Sequence, residues 1–134
     1  MTLYVDSSAL TKRYVTEPDS DVAEALLLSD PEWLSANHTY VEVILALGRR
    51  LEERDARSAR DAFDAEWGRL LVIALDQEVC RRAAAIGAMT GTRTLDALHL
   101  AAAERAGGSA LRFLTFDMRL AQAARSIGFT VVGA

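Results

Sequence analysis

The sequence predicts an α/β fold, built as three layers, α/β/α, around a mostly parallel central sheet. Two observations carry this expectation. Short apolar runs of strand length alternate with segments whose apolar residues recur at helical spacing. One run, Leu70 to Leu75, is continuously apolar with β-branched members, as a strand covered on both faces would be. Strands that alternate with helices are joined by right-handed crossovers, which place helices on both faces of the sheet. The chain has 134 residues, enough to bury a core and too few for two comfortable ones, so it reads as one domain over 1–134.

Each element follows from local chemistry. Leu3 to Asp6 is the first strand, and Ser7 or Ser8 can cap a helix through Ala9, Leu10 and Tyr14 toward Pro18. Asp19 or Ser20 opens a second helix with Val22, Ala23, Leu26 and Leu27 on one face, stopped near Asp30 and Pro31. Trp33 to Ala36 is a brief strand. A long helix from Thr39 to about Arg54 carries Val41, Ile44 and Leu45. Another, from near Asp55, turns Ala59, Phe63 and Trp67 to the core, and the two form a helical hairpin. After the strand Leu70 to Leu75, Asp76 caps a helix that Gly91 ends, and Cys80 reads as a core residue on it. Thr94 starts a helix through Leu95, Leu98 and Ala102, closed by Gly107 and Gly108. Leu111 to Phe116 is a strand, Met118 to Ile127 a helix and Phe129 to Val132 the last strand.

Composition excludes several classes. Half of the residues are apolar (51%) and a quarter charged (25%), which is globular rather than disordered. The apolar runs fall short of the roughly 18 residues that span a bilayer. No secretory signal is visible behind MTLYVD, so the expected location is the cytoplasm. A lone cysteine, Cys80, rules out an intramolecular disulfide or a cysteine-based zinc site. With a net charge of −4, any grip on nucleic acid must be local rather than a global positive field.

Four acids stand where carboxylates need a reason. In parallel sheets ligands sit beyond the carboxyl ends of the strands. Asp6 ends the first strand and Asp117 follows the strand containing Leu114, so both point to one rim. Glu42 interrupts Val41, Val43, Ile44 and Leu45, where an unpaired buried charge costs several kcal/mol. Asp96 stands with His99 on a narrow polar stripe of the otherwise apolar TLDALHLAAA. Each has a structural explanation. Asp6 and Asp117 can be helix caps, Glu42 can pair with Arg49 or His38, Asp96 can answer the helix dipole, and His99 can be a satisfied core histidine. Together they suit a hard divalent cation, which wants several oxygen ligands and makes like charges tolerable neighbours; magnesium is the natural choice and manganese fits equally. Lys12, Arg13 and Arg93 are candidate phosphate contacts. A regulatory domain without catalysis would use the same acids as caps and ion pairs. A phosphatase using Asp6 as nucleophile lacks the second acid of a D-x-D arrangement, because Ser8 stands there.

Over its whole length the chain resembles the PIN-domain ribonucleases, in particular the VapC-type toxins of bacterial toxin–antitoxin pairs. The likeness rests on YVDSSALTKRYVTEPDSD, on the glutamate of YVEVILAL and on the aspartates of TLDALHLAAA and LTFDMRL, in the family's order and approximate spacing. The resemblance implies that Asp6, Glu42, Asp96 and Asp117 are catalytic, metal-binding acids, and that Ser8 and Thr115 support them. It implies a magnesium- or manganese-dependent endoribonuclease acting on RNA, a small antitoxin partner that blocks the site, a homodimer, and contact with DNA only through the antitoxin. Leu26, Leu27, Ile44 and Leu47 are candidate apolar contacts for such partners, with core packing as the alternative.

Overall fold

The structure, a computed structural model, describes residues 2–134. Its centre is a five-stranded, wholly parallel sheet in the order β3-β2-β1-β4-β5, made of β1 (Leu3–Val5), β2 (Trp33–Ala36), β3 (Leu71–Ile73), β4 (Arg112–Thr115) and β5 (Thr130–Gly133). Val5 lies in register with Leu114, and the direction of winding reverses between β1 and β4. That is the switch point at which an open α/β sheet leaves a crevice at its carboxyl rim.

Alternation along the strands sorts the core into two layers. Leu3, Val5 and Leu114 face α1 (Ser7–Thr11), α2 (Ser20–Leu28), α3 (Asn37–Arg50) and α4 (Glu53–Trp67), packing with Leu10, Leu27, Val43, Leu47 and Phe63. Tyr4, Ala36 and Phe113 face α5 (Gln77–Thr90), α6 (Thr94–Ala106) and α7 (Met118–Ser126), packing with Ile86, Leu100 and Leu120. The three-layer α/β/α arrangement therefore holds. No helix among the described residues is long and apolar enough to cross a membrane.

Several local expectations are corrected. Asp6, and neither Ser7 nor Ser8, caps α1, which stops at Thr11 instead of continuing through Tyr14. α3 begins at Asn37, ends at Arg50 and buries Val43 and Leu47; Val41 and Leu45 are half exposed on its other side. The third strand is shorter than Leu70 to Leu75. It lies at the sheet edge with Leu71 and Val72 exposed, because the strand order gives it a neighbour on one side only. Val22 and Cys80 are exposed. Leu27 and Leu47 are buried, and Leu26 and Ile44 pack against the same core, so these four residues follow the core-packing alternative. The α3–α4 hairpin is present, with Tyr40 packed on Phe63 and Trp67. Asp76 caps α5 through Val79, and Gly91, at φ 74°, ends it in the left-handed conformation that glycine adopts without strain.

Candidate active site

The sheet delivers Asp6 to the rim at the end of β1, and three hydrogen bonds fix its carboxylate there. Ser8 Oγ (2.7 Å) and the Ala9 amide (3.1 Å) donate to Oδ1, while Thr115 Oγ1 donates to Oδ2 at 2.5 Å. The same two hydroxyls accept backbone amides from the neighbouring loop, Phe116 N on Ser8 Oγ (2.9 Å) and Asp117 N on Thr115 Oγ1 (3.0 Å). Ser8 and Thr115 thus bind the turn after β1 to the turn after β4. Burial pushes the Asp6 carboxyl above its ordinary range, against the opposing pull of His99 and these hydrogen bonds.

Asp117 caps α7, its Oδ1 accepting from Arg119 N (2.9 Å) and Leu120 N (3.0 Å). Asp96 lies in the first turn of α6 and takes no hydrogen bond from the described residues. Its carboxyl is raised by burial first and then by the charges of Asp117 and Glu42, with His99 and Arg93 opposing. Glu42, on α3, pairs with neither Arg49 nor, at close range, His38. His99 Nε2 stands 2.7 Å from its Oε1, and His38 Nε2 stands 3.9 Å away. Burial works to raise the Glu42 carboxyl, but the His99 hydrogen bond and then the electrostatic attraction of the same imidazole outweigh it and hold the group low. Burial and the neighbouring His99 push His38 down to about 4, so it is neutral at physiological pH.

Asp6, Glu42, Asp96 and Asp117 line one cleft of about 440 Å³ with Ser7, Ser8, Arg93 and His99. Four acids from α3, α6 and the ends of β1 and β4 therefore meet at the switch point. Of the basic candidates, the cleft includes Arg93 alone. Lys12 holds Glu17 (3.1 Å) and Asp19 (2.8 Å), and Arg13 holds Glu24 (2.9 Å) and Glu66 (2.8 Å) while lying over the Trp33 ring. Both are structural cations whose charge is already matched. The pairing that sequence reasoning missed is Tyr4–His99–Glu42, in which Tyr4 Oη lies 2.8 Å from His99 Nδ1. The stripe containing Asp96 and His99 was its one visible sign.

The donor set fits a hard divalent cation. It is all oxygen, and two of the acids are pushed up by burial, with Asp96 pressed further by its like-charged neighbours; a cation would remove that cost. Fold and site define a class: a doubly wound α/β protein with an acidic crevice at its carboxyl rim. The chain belongs to the PIN-domain family, whose model matches residues 3–126. It is similar to Ribonuclease VapC46 of Mycobacterium tuberculosis, 35% identical over 97% of this chain and 95% of that one, and to Ribonuclease VapC47 of the same species, 30% identical over 95% and 93%. Among solved structures it resembles the VapC20 toxin of M. tuberculosis, described as cleaving the sarcin–ricin loop, at a TM-score of 0.76 and 20% identity over 98% of both chains. A toxin–antitoxin complex from Klebsiella pneumoniae matches at a TM-score of 0.67 and 17% identity over 87% of both chains.

Proposed function

We propose that this chain is an endoribonuclease, the toxin of a toxin–antitoxin pair, that hydrolyses RNA phosphodiester bonds with magnesium, or manganese in its place, at the acidic cleft. The observation that carries the reading is the convergence of Asp6, Glu42, Asp96 and Asp117 on one cavity, with Asp96 taking no hydrogen bond from the described residues. The names of its relatives, ribonucleases VapC46 and VapC47, support the same reaction.

In this reading Asp6 is the rigid ligand, since Ser8, Ala9 and Thr115 set its orientation in advance. Asp96 and Glu42 add oxygens from the facing helices, and Asp117, occupied on Oδ1 by α7, contributes through its other oxygen or through a water. A divalent ion bound here supplies an activated water and a counter-charge for the phosphodiester. No side-chain nucleophile is required, and the products carry a 5′-phosphate. Arg93 at the cleft wall draws the phosphate in. Work on RNA belongs in the cytoplasm, and the resemblance adds a homodimer, an antitoxin that covers the cleft, and DNA contact through that antitoxin only. A regulatory domain without catalysis has no use for an acid pressed by two like charges, which favours the enzyme.

The test is RNA cleavage by the parent, Asp6→Asn and Asp96→Asn with added magnesium or manganese. Loss of cleavage in both variants is expected. Cleavage equal to the parent would overturn the proposal.

A further inference from the structure

Behind the cleft, three side chains from three elements form one line of hydrogen bonds. Tyr4 of β1 and His99 of α6 are almost wholly buried, at 0% and 1% exposure. The Tyr4 ring is pinned by stacking on Phe113 (centroids 5.1 Å apart, 10° between planes) and by edge contact with His99 (5.9 Å, 79°). Its hydroxyl lies 2.8 Å from His99 Nδ1, and His99 Nε2 lies 2.7 Å from Glu42 Oε1. The direction of the second bond follows from chemistry. An ionised carboxylate only accepts, so Nε2 carries the hydrogen of that bond, while the tyrosine hydroxyl meets Nδ1 on the other side of the ring. His38 closes the flank. Its ring centroid is 4.1 Å from that of His99, its Nε2 donates to the Leu95 carbonyl at 3.0 Å, and its buried Nδ1 has no partner among the described residues.

Resting on the reading that Glu42 belongs to the cation site, we propose that His99 is a positioning residue, anchored by Tyr4, which fixes the Glu42 carboxylate for the divalent ion. A glutamate reaches its target through three rotatable bonds and is the least pre-set of the four acids. His99 holds Oε1 at 2.7 Å, so that α3 offers a carboxylate already aimed. The strut also joins the two helical layers at the rim, since Glu42 comes from the layer packed on Leu3 and Val5, and His99 from the opposite one. His38, Glu42 and His99 could also be read as a ligand trio, their donor atoms lying within 4.8 Å of one another. The hydrogen on His99 Nε2 points at Glu42, however, and ligation through that nitrogen would forfeit the bond.

The experiment is an electron paramagnetic resonance titration of Mn²⁺ into the full chain without RNA, for the parent, His99→Leu, His99→Gln and Tyr4→Phe, each checked for folding by circular dichroism. Loss of an outer hydrogen-bond partner costs about 10–100-fold in metal affinity, and a weakening of that size is expected for His99→Leu. His99→Gln, which returns an N–H near the same place, should recover most of it, and Tyr4→Phe should fall between. Should His99→Leu fail to fold, Tyr4→Phe and His99→Gln carry the decision. Parent-like Mn²⁺ affinity in Tyr4→Phe and in any folded His99→Leu overturns the proposal. So does a glutamine variant as impaired as Tyr4→Phe or worse, since a donor to Glu42 would then not be what matters. A parent that binds no Mn²⁺ gives flat curves throughout and overturns the cation reading itself.

Discussion

Replacing Thr115 with valine removes one buried hydroxyl while keeping the shape of the side chain, and it should disturb stability and site together. Thr115 Oγ1 donates to Asp6 Oδ2 at 2.5 Å and accepts from Asp117 N at 3.0 Å, and the residue is fully buried. Hydrogen bonds to charged groups contribute about 1.5–3 kcal/mol, and a buried amide left without a partner costs about 1–3 kcal/mol. With Asp117 N only partly buried, a loss of about 3 kcal/mol is expected. For a chain of this size that corresponds to a fall of about 10 °C in Tm. Because the same hydroxyl orients one acid and ties down the loop of another, Mn²⁺ affinity should fall by about 10–100-fold. Urea denaturation and Mn²⁺ titration read the two effects, and Thr115→Ser, which restores the hydroxyl, should stay close to the parent in both. A valine variant that melts and binds Mn²⁺ like the parent would refute the assignment of Thr115 as the support of Asp6.

Other perturbations separate structure from chemistry. Asp96→Asn should make the metal-free protein more stable while abolishing RNA cleavage, because the neutral side chain feels neither the burial penalty nor the repulsion of Asp117 and Glu42. The sign with pH is fixed. A carboxyl raised in the folded state holds its proton longer there than in the unfolded chain, so ionisation removes stability as pH rises through the folded pKa. The margin of Asp96→Asn over the parent should therefore widen from acidic to neutral pH in chelator and shrink when Mn²⁺ is added; a constant margin in urea denaturation would contradict this. Arg13→Ala should cost about 2 kcal/mol through its bonds to Glu24 and Glu66, yet leave cleavage per folded molecule near the parent's. Arg93→Ala should change stability by no more than about 0.5 kcal/mol and instead raise the KM for RNA, and an unchanged KM would remove it from the substrate path.

Much of this geometry was legible in the residues. The alternation of strand and helix signals implied the parallel sheet, and the sheet implied that Asp6 and Asp117 share a rim. Asp96 announced itself as a charge in an apolar helix. What stayed hidden depended on long-range packing. α3 is apolar on more than one side, so periodicity alone did not choose Val43 and Leu47 over Val41 and Leu45. Leu70 to Leu75 has the composition of a buried strand, and only the strand order, with β3 outermost, leaves Leu71 and Val72 exposed. Lys12 and Arg13 resemble phosphate contacts until Glu17, Asp19, Glu24 and Glu66 fold against them. Tyr4 carries no mark of its role, because its partner His99 lies 95 residues away and Glu42 lies a further 57 from that histidine.

Anomalous diffraction from crystals of the full chain grown with Mn²⁺ tests the central claim most directly. A manganese peak about 2 Å from carboxylate oxygens of Asp6 and Asp96, with Glu42 or Asp117 completing the shell directly or through water, is the expected result. A cleft free of manganese at saturating concentration, or a peak bound elsewhere with the four acids untouched, would contradict it.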